Sequence, residues 1–320
     1  MSRYIRNQDK RNSEKNKSDR GSLALTVGTF DGVHIGHQLL LKITRDIAET
    51  RGIDSAAYTY ELPPKRYLDH SGLALIMDPQ SKLEYLKRFV GRTIVGDFHE
   101  VKNFTPKRFV EEVLVGKLDV DAVVVGDDWR FGKDRAGSYH DLEELSEGRF
   151  TIHPQRQLKK NDRSVSSTWI RQALGEGDVE LARELLGRYP SYSGKVVRGN
   201  QVGTDIGFPT ANIALNDRVV LPKLGNYAAF TDVNGRKLKG AVHVGNRPTF
   251  GGNKNHRIEI HLFGFDGELY DKRLKVYLVK YLGRSREYSG KEELKEAIKG
   301  HVEEAKKVLG EASTVNEPGN

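Results

Sequence analysis

Residues Leu23 to His37 read L-A-L-T-V-G-T-F-D-G-V-H-I-G-H. A short apolar run ends in Gly28, a turn follows, and a helical pattern sets in at His37. This is strand, loop, helix, with ordered structure expected to begin near Gly21. The runs Ala56 to Tyr60, Thr93 with Ile94, and Ala122 to Val125 before Gly126 repeat the strand signal. Between them lie segments of helical spacing such as Leu83, Leu86 and Val90. Alternation of this kind predicts a parallel sheet with helices on both faces, a doubly wound α/β domain.

The character changes around Gly187 to Ser193. Leu181, Leu185 and Leu186 close a helix, and Gly187, Pro190 and Gly194 punctuate the chain before a strand-rich region. The runs Lys195 to Val197, Tyr227 to Thr231, Val242 to Val244, Ile258 to Phe263 and Leu274 to Leu278 are short, and Asn234-Gly235 and Asp266-Gly267 carry hairpin-turn chemistry. An antiparallel β-barrel is expected there, followed by a helix over Lys291 to Leu309 through Leu294, Ile298 and Val302. The division predicted is a basic, disordered tail over 1–20, an α/β domain over 21–188, a barrel domain over 189–313 and a frayed end over 314–320.

Two domains suit 320 residues, each long enough to bury its own core. No apolar stretch approaches the length of a bilayer span, so a membrane role is not expected. The first twenty residues hold no apolar signal region, and the absence of cysteine excludes disulfides and thiolate metal sites. A cytoplasmic protein is the expectation. Of the net charge of +8, half sits in residues 1 to 20, where seven Lys/Arg face three acids. So polar a stretch cannot offset its ordering entropy by burial, and disorder is read ahead of a nucleic-acid-binding arm. The oligomeric state is not legible.

The chemistry concentrates in two places. In G-T-F-D-G-V-H-I-G-H, Gly28 to His37, the histidines at 34 and 37 stand where a strand meets a helix N-terminus. Such a joint offers unpaired backbone N–H groups and the positive end of a dipole, and Gly32 and Gly36 let a phosphate chain come close. Two imidazoles can supply donors where charge builds during attack on the α-phosphate of a nucleoside triphosphate. Alone, H-x-x-H reads as an ordinary helix start; the ten-residue context argues against that. Downstream, Ser166, Ser167, Thr168 and Arg171 open another helix, suited either to gripping phosphate or simply to N-capping.

The second place is G-T-D-I-G-F-P-T-A-N, Gly203 to Asn212. In an extended segment Thr210 and Asn212 share one face, and a hydroxyl with an amide oxygen are hard ligands suited to Mg²⁺ held with ATP phosphates. Glycines at 199, 203 and 207 would let the loop fold over those phosphates. No Walker sequence occurs, so the kinase architecture must be another. Glu259, on the strand Ile258 to Phe263, is the candidate base for a hydroxyl acceptor, although a lone strand glutamate usually faces solvent.

Together these motifs resemble the prokaryotic bifunctional riboflavin kinase/FMN adenylyltransferase family, also called FAD synthetase. The first half, Gly28 to His37 followed by S-S-T-x-I-R at Ser166 to Arg171, resembles its adenylyltransferase domain, which implies a Rossmann-like nucleotidyltransferase sheet. Gly126 to Gly132 resembles the family's G-x-D-F-x-F-G segment, with Trp129 where phenylalanine is usual, a stretch bordering its nucleotide and flavin sites. The resemblance places Gly28, Phe30, Asp31, Gly32, His34, Gly36, His37, Asp128, Ser166, Ser167, Thr168 and Arg171 at the ATP phosphates. In Thr59 to Pro64, Pro63 stands where the family usually has histidine, a departure that bears on the adenylyl half. In the second half, G-F-P-T-A-N, then G-N-R-P-T-F at Gly245 to Phe250, then E-I-H-L-F at Glu259 to Phe263 follow the family's riboflavin kinase order. That match implies Glu259 as catalytic base, Thr210 and Asn212 as magnesium ligands, and Gly203, Gly207, Phe208 and Pro209 around ATP and flavin. Arg286 and Tyr288 precede the terminal helix where the family packs against flavin.

The implied activity is ATP-dependent phosphorylation of riboflavin to FMN, then adenylylation of FMN to FAD with release of pyrophosphate. Mg²⁺ is the implied metal of both steps, and the partners are small molecules. Two alternatives stay open: a kinase with a weak or differently selective nucleotidyltransferase half, for which Pro63 is the motive, and a non-catalytic flavin- or RNA-binding protein.

Overall fold

The structure is a computed structural model of the chain. It describes residues 23–68, 72–199, 203, 206–248, 254–286 and 289–311. Both expected tails, Tyr288, and Thr249 with Phe250 of the G-N-R-P-T-F motif lie outside the described residues. Packing divides the chain into two units: the first ends at Leu73 and resumes over Pro79–Val165, while the second takes Ala74–Asp78 and everything from Ser166.

In the first unit β1 (Leu23–Val27), β2 (Asp54–Tyr60), β3 (Arg92–Gly96), β4 (Val120–Gly126) and β5 (Thr151–Gln155) form one sheet. Its order is β3-β2-β1-β4-β5 and every pairing is parallel. The helices are α1 (Ile35–Arg51), α2 (Pro64–Leu68), α3 (Pro79–Leu86), α4 (Phe98–Val101), α5 (Pro106–Phe109) and α6 (Tyr139–Ser146), with a π-helical segment over Val110–Lys117. A small hairpin of β6 (Lys159–Lys160) and β7 (Arg163–Ser164) follows. All five residues of β1 are buried, as a strand covered on both faces requires. Leu23, Leu25 and Val27 join a core with Phe109, Val113, Leu114 and Val125, whereas Ala24 and Ala122 face Ala48 of α1. The sheet is therefore doubly wound, as expected. Its order reverses between β1 and β4, and in open α/β sheets ligands bind outside the carboxyl ends of strands at that point.

The second unit holds α7 (Ser167–Glu176), α8 (Val179–Leu186), β8 (Ser191–Val197), β9 (Ala211–Ala214), β10 (Gly225–Val233), β11 (Arg236–Pro248), β12 (Lys254–Leu262), β13 (Arg273–Gly283) and α9 (Lys291–Glu311). The six strands close into a barrel in the order β10-β11-β12-β9-β8-β13, every pairing antiparallel. Alternation sorts the side chains. Ile213, Val242, Val244, Ile258 and Ile260 are almost wholly buried and fill the barrel. On the opposite face Ala228 and Phe230 of β10 pack under Ala305 and Leu309 of α9. The helix thus covers part of the outer wall.

Two expectations meet a different arrangement. Asn234-Gly235 does turn a two-residue hairpin, with Val233 paired to Arg236 and φ of 55° and 78° at the two turn residues. Asp266-Gly267 does not: it lies in the connection from β12 to β13, which are not neighbours in the barrel. Left-handed backbone occurs at Gly264 and Asp271 there, so the dipeptide supplies no primed turn. The helices α7 and α8, read with the first domain, pack instead with the barrel. The Lys223 N–H donates to the Leu174 carbonyl at the end of α7, and the Leu278 N–H of β13 donates to the Pro190 carbonyl just beyond α8.

Candidate active sites

Past the end of β1 the Gly28 N–H donates to the Tyr58 carbonyl (3.0 Å), and then the chain leaves the sheet. Phe30 at φ 50°, Gly32 at 79° and Val33 at 40° turn it back, the Val33 N–H donating to the Phe30 carbonyl (3.1 Å). Two of these are not glycine, and left-handed backbone costs such residues roughly 1–2 kcal/mol each. Complete burial of the Phe30 and Val33 side chains holds them there. Strain of this kind, kept at the carboxyl end of a switch-point strand, belongs to a loop whose shape is used.

The loop ends at His34, the N-cap of α1. Its Nδ1 accepts from the His37 N–H (3.3 Å), so a neutral His34 ring carries its proton on Nε2. The two imidazoles stack with centroids 3.5 Å apart and planes 20° from parallel, and Phe30 meets His37 edge-on at 5.3 Å. Burial of His34 and Asp31 completes a compact group in which Gly28, Phe30, Asp31, Gly32, His34, Gly36 and His37 occupy one loop and helix start. Such a group can hold a phosphate chain by backbone N–H groups and imidazole donors.

Asp128 is exposed in the turn after β4, where the Trp129 N–H donates to the Gly126 carbonyl (3.0 Å). Trp129 stacks on Phe131 at 4.7 Å with planes 11° apart, and Phe131 is buried in the core, so this aromatic is both wall and platform. Pro63 is buried immediately before α2. Ser166 caps α7, its Oγ accepting from the Trp169 N–H (3.3 Å), and Arg171 Nε donates to the Ala74 carbonyl (2.6 Å). Ser167 and Thr168 lie in the first turn of α7, and by packing this helix start belongs to the second unit. The capping role is thus met by Ser166.

In the second unit the pairing register builds a row. Asn212 of β9 stands opposite Glu259 of β12, Glu259 opposite His243 of β11, and His243 opposite Asn226 of β10. Opposed residues share a face, and this is the outer one, since Ile258, Ile260, Val242 and Val244 turn inward. The row is knitted at one end: His243 Nδ1 lies 3.2 Å from Asn226 Oδ1 and 3.1 Å from Ser285 Oγ, and Asn226 Nδ2 donates to His301 Nε2 of α9 (3.3 Å). Burial pushes His243 below the ordinary histidine value, with Glu259 opposing and His301 adding to the shift. His301 is lowered for the same first reason, Glu304 opposing and Arg286 adding.

At the other end Asn212 is 5% exposed, and its Oδ1 has no hydrogen-bond partner among the described residues. A buried carbonyl oxygen without a donor costs roughly 1–3 kcal/mol and needs an external partner, a condition a hard cation satisfies. Thr210 stands one residue before β9, and its hydroxyl and the Asn212 amide oxygen are hard donors of the kind a magnesium ion takes. Gly199 is packed against this amide: a Cβ there would fall 2.2 Å from Asn212 Nδ2. Gly203, Gly207, Phe208 and Pro209 precede them, with the Phe208 N–H donating to the Gly203 carbonyl (2.7 Å), Gly207 at φ 89°, and His261 Nδ1 donating to the Pro209 carbonyl (2.9 Å). Arg286 is exposed beside Glu293 of α9, at 3.7 Å.

The structure thus places Asn212 and Glu259 opposite one another across β9 and β12. It adds His243, Asn226, Ser285 and His301, which that reading missed. A signal existed: an asparagine and a histidine interrupt two apolar strands at Gly225–Val233 and Ala241–Val244. Only the register shows that they are neighbours.

Comparison with known proteins covers both units. A family model described as FAD synthetase matches residues 16–169, and one described as riboflavin kinase matches residues 186–309. Most of α7 and all but the last residue of α8 lie between the two matches. A bifunctional riboflavin kinase/FMN adenylyltransferase of Bacillus subtilis is 33% identical over 90% of this chain and 93% of its own length. That of Escherichia coli K12 is 34% identical over 86% and 88%. A solved structure from Streptococcus pneumoniae, described as a macrolide-efflux protein, superposes with a TM-score of 0.82 at 29% identity, covering 92% of this chain and 97% of that one. Among the described residues here, no helix is long and apolar enough to cross a membrane. Two family models in tandem, and relatives alike over nine-tenths of the chain, lead to one conclusion: this chain belongs to the bifunctional riboflavin kinase/FMN adenylyltransferase family.

Proposed function

We propose that the chain makes FAD from riboflavin in two transfers, one in each unit. In the barrel, ATP gives its γ-phosphoryl group to the riboflavin 5′-hydroxyl: Glu259 accepts the hydroxyl proton, the oxygen forms the new P–O bond, and ADP leaves. Thr210 and Asn212 would hold Mg²⁺, which when bound neutralises charge on the ATP phosphates. Gly203, Gly207, Phe208 and Pro209 form the strap over the nucleotide, and Arg286 lies toward the flavin. The observation that carries this half is the opposition of Asn212 and Glu259 across β9 and β12, which puts a ligand with an unmatched oxygen beside a carboxylate.

In the first unit an FMN phosphate oxygen attacks the α-phosphorus of ATP and pyrophosphate leaves. His34 and His37 supply donors to the charge that builds on the transferring phosphate, and the N-terminus of α1 with Gly28, Phe30, Asp31, Gly32 and Gly36 cradles the chain. Trp129 and Asp128 border the flavin and nucleotide. The phosphate-binding role read for Ser166, Ser167, Thr168 and Arg171 rests on their motif.

The test is one coupled assay of the purified chain with riboflavin, ATP and Mg²⁺, following all three flavins. FMN should rise first and FAD follow, with pyrophosphate in step with FAD. Accumulation of FMN alone would restrict the chemistry to the barrel, and tight flavin binding without turnover would remove both transfers.

A further inference from the structure

Lys82, on α3, is 4% exposed, and neither transfer as described above uses it. Its ammonium, with three N–H donors, lies within hydrogen-bond distance of four oxygens: the Tyr60 carbonyl at 2.5 Å, the Thr29 carbonyl at 3.2 Å, the Glu61 carbonyl at 3.3 Å and Thr59 Oγ1 at 3.4 Å. Thr59 Oγ1 itself donates to the Thr29 carbonyl at 3.2 Å. Thr29 opens the loop after β1 that leads through Phe30 and Asp31 to His34, while Thr59, Tyr60 and Glu61 end β2 and begin the T-Y-E-L-P-P stretch. One buried cation therefore fastens together the two segments that leave the neighbouring strands β1 and β2 at the carboxyl edge of the sheet.

A lysine is rarely buried without a counter-charge, because removing its charge from water is costly. The charged groups facing this one are Asp31, from the loop after β1, and Glu61, from the end of β2. We propose that Lys82 is a positioning residue for adenylyl transfer: its ammonium locks the His34–His37 loop to the segment after β2 and sets a fixed positive charge behind the phosphate cradle. This rests on the reading of the first unit as the adenylyl-transferring one.

The same burial lowers the Lys82 ammonium to about 8, Asp31 and Glu61 holding it partly back up. The lock is therefore charged at neutral pH and discharges in mild alkali. Stability moves the other way: between the folded value and the ordinary 10.5 the unfolded chain binds the extra proton, so folding gains from Lys82 as pH rises. Loss of rate there is not loss of fold.

The experiment follows FAD formation from supplied FMN and ATP, with riboflavin phosphorylation by the same preparation as reference. In the wild type, kcat/KM for ATP in adenylyl transfer should fall about tenfold per pH unit above the Lys82 value, while phosphorylation lacks that limb. Lys82→Arg keeps its charge through this range and should abolish the limb. Lys82→Met should lower adenylyl transfer about 10²-fold at neutral pH, in kcat more than in the KM for ATP, show no alkaline limb so that the gap to wild type closes as pH rises, and leave phosphorylation intact. A wild-type profile without the limb overturns the proposal even if neither variant folds, as does a limb unchanged in Lys82→Arg or full activity in Lys82→Met. FAD formation by the wild type at pH 7 tests the underlying reading separately.

Discussion

At the residue scale, the proposed chemistry rests on a few side chains whose neighbours fix them. His37 is held by the stacked His34 ring and the edge of Phe30. His37→Ala should depress adenylyl transfer by about 10²-fold, the usual cost of one lost transition-state donor, and spare phosphorylation. An unchanged FAD rate would remove this imidazole from the reaction. Gly199→Ala should act on the other site alone, because the new methyl group would displace the Asn212 amide. Titration of kinase activity with Mg²⁺ should then show the requirement raised by about 10–100-fold, as when a ligand loses its support. His243 and His301 supply a pH dependence. Both are held below the ordinary 6.5, so the unfolded chain binds protons as pH falls through that value while the folded barrel does not. Barrel stability should therefore decline with acid below about 6.5, measurably in thermal unfolding, and less so in His243→Asn.

At the scale of elements, turn chemistry sets the barrel register. Gly235 stands at φ 78° with nothing within 4 Å of where a Cβ would be, so Gly235→Val tests backbone strain without a clash. The barrel should lose about 1–2 kcal/mol, seen as a lower transition temperature, with the row from Asn212 to Asn226 still in register. What could be read from the sequence follows the same physics. The core of β1 and the strand ends at Tyr60 and Gly126 were legible because apolar runs bounded by turn residues have one interpretation. The helix over Lys291–Glu311 was legible from its apolar spacing. β9, four residues long, was legible only as an extended segment, and Asp266-Gly267 misled because the dipeptide signals a turn without saying which strands it joins. The packing of α7 and α8 on the barrel was hidden because amphipathic helices state that they need a partner but not which one. Lys82 and His243 escaped notice for a related reason: each acquires meaning from residues far away in sequence.

At the scale of the whole molecule, the chain joins two folds that solve the same problem differently. In the proposed reading the first would meet a triphosphate with a helix N-terminus and imidazoles at a parallel-sheet switch point, and the second with a strap, a hydroxyl and an amide on the outer wall of a barrel. Since each unit carries its own machinery, FMN made by one chain should serve another. Glu259→Gln should make no FMN yet still convert supplied FMN to FAD, and His37→Ala should show the reverse bias. The most direct measurement is to mix these two variants with riboflavin, ATP and Mg²⁺ and follow FAD. Separate sites predict FAD in the mixture at a rate neither variant reaches alone, after a lag while FMN accumulates. A mixture that makes no more FAD than its components would contradict the assignment of one transfer to each unit.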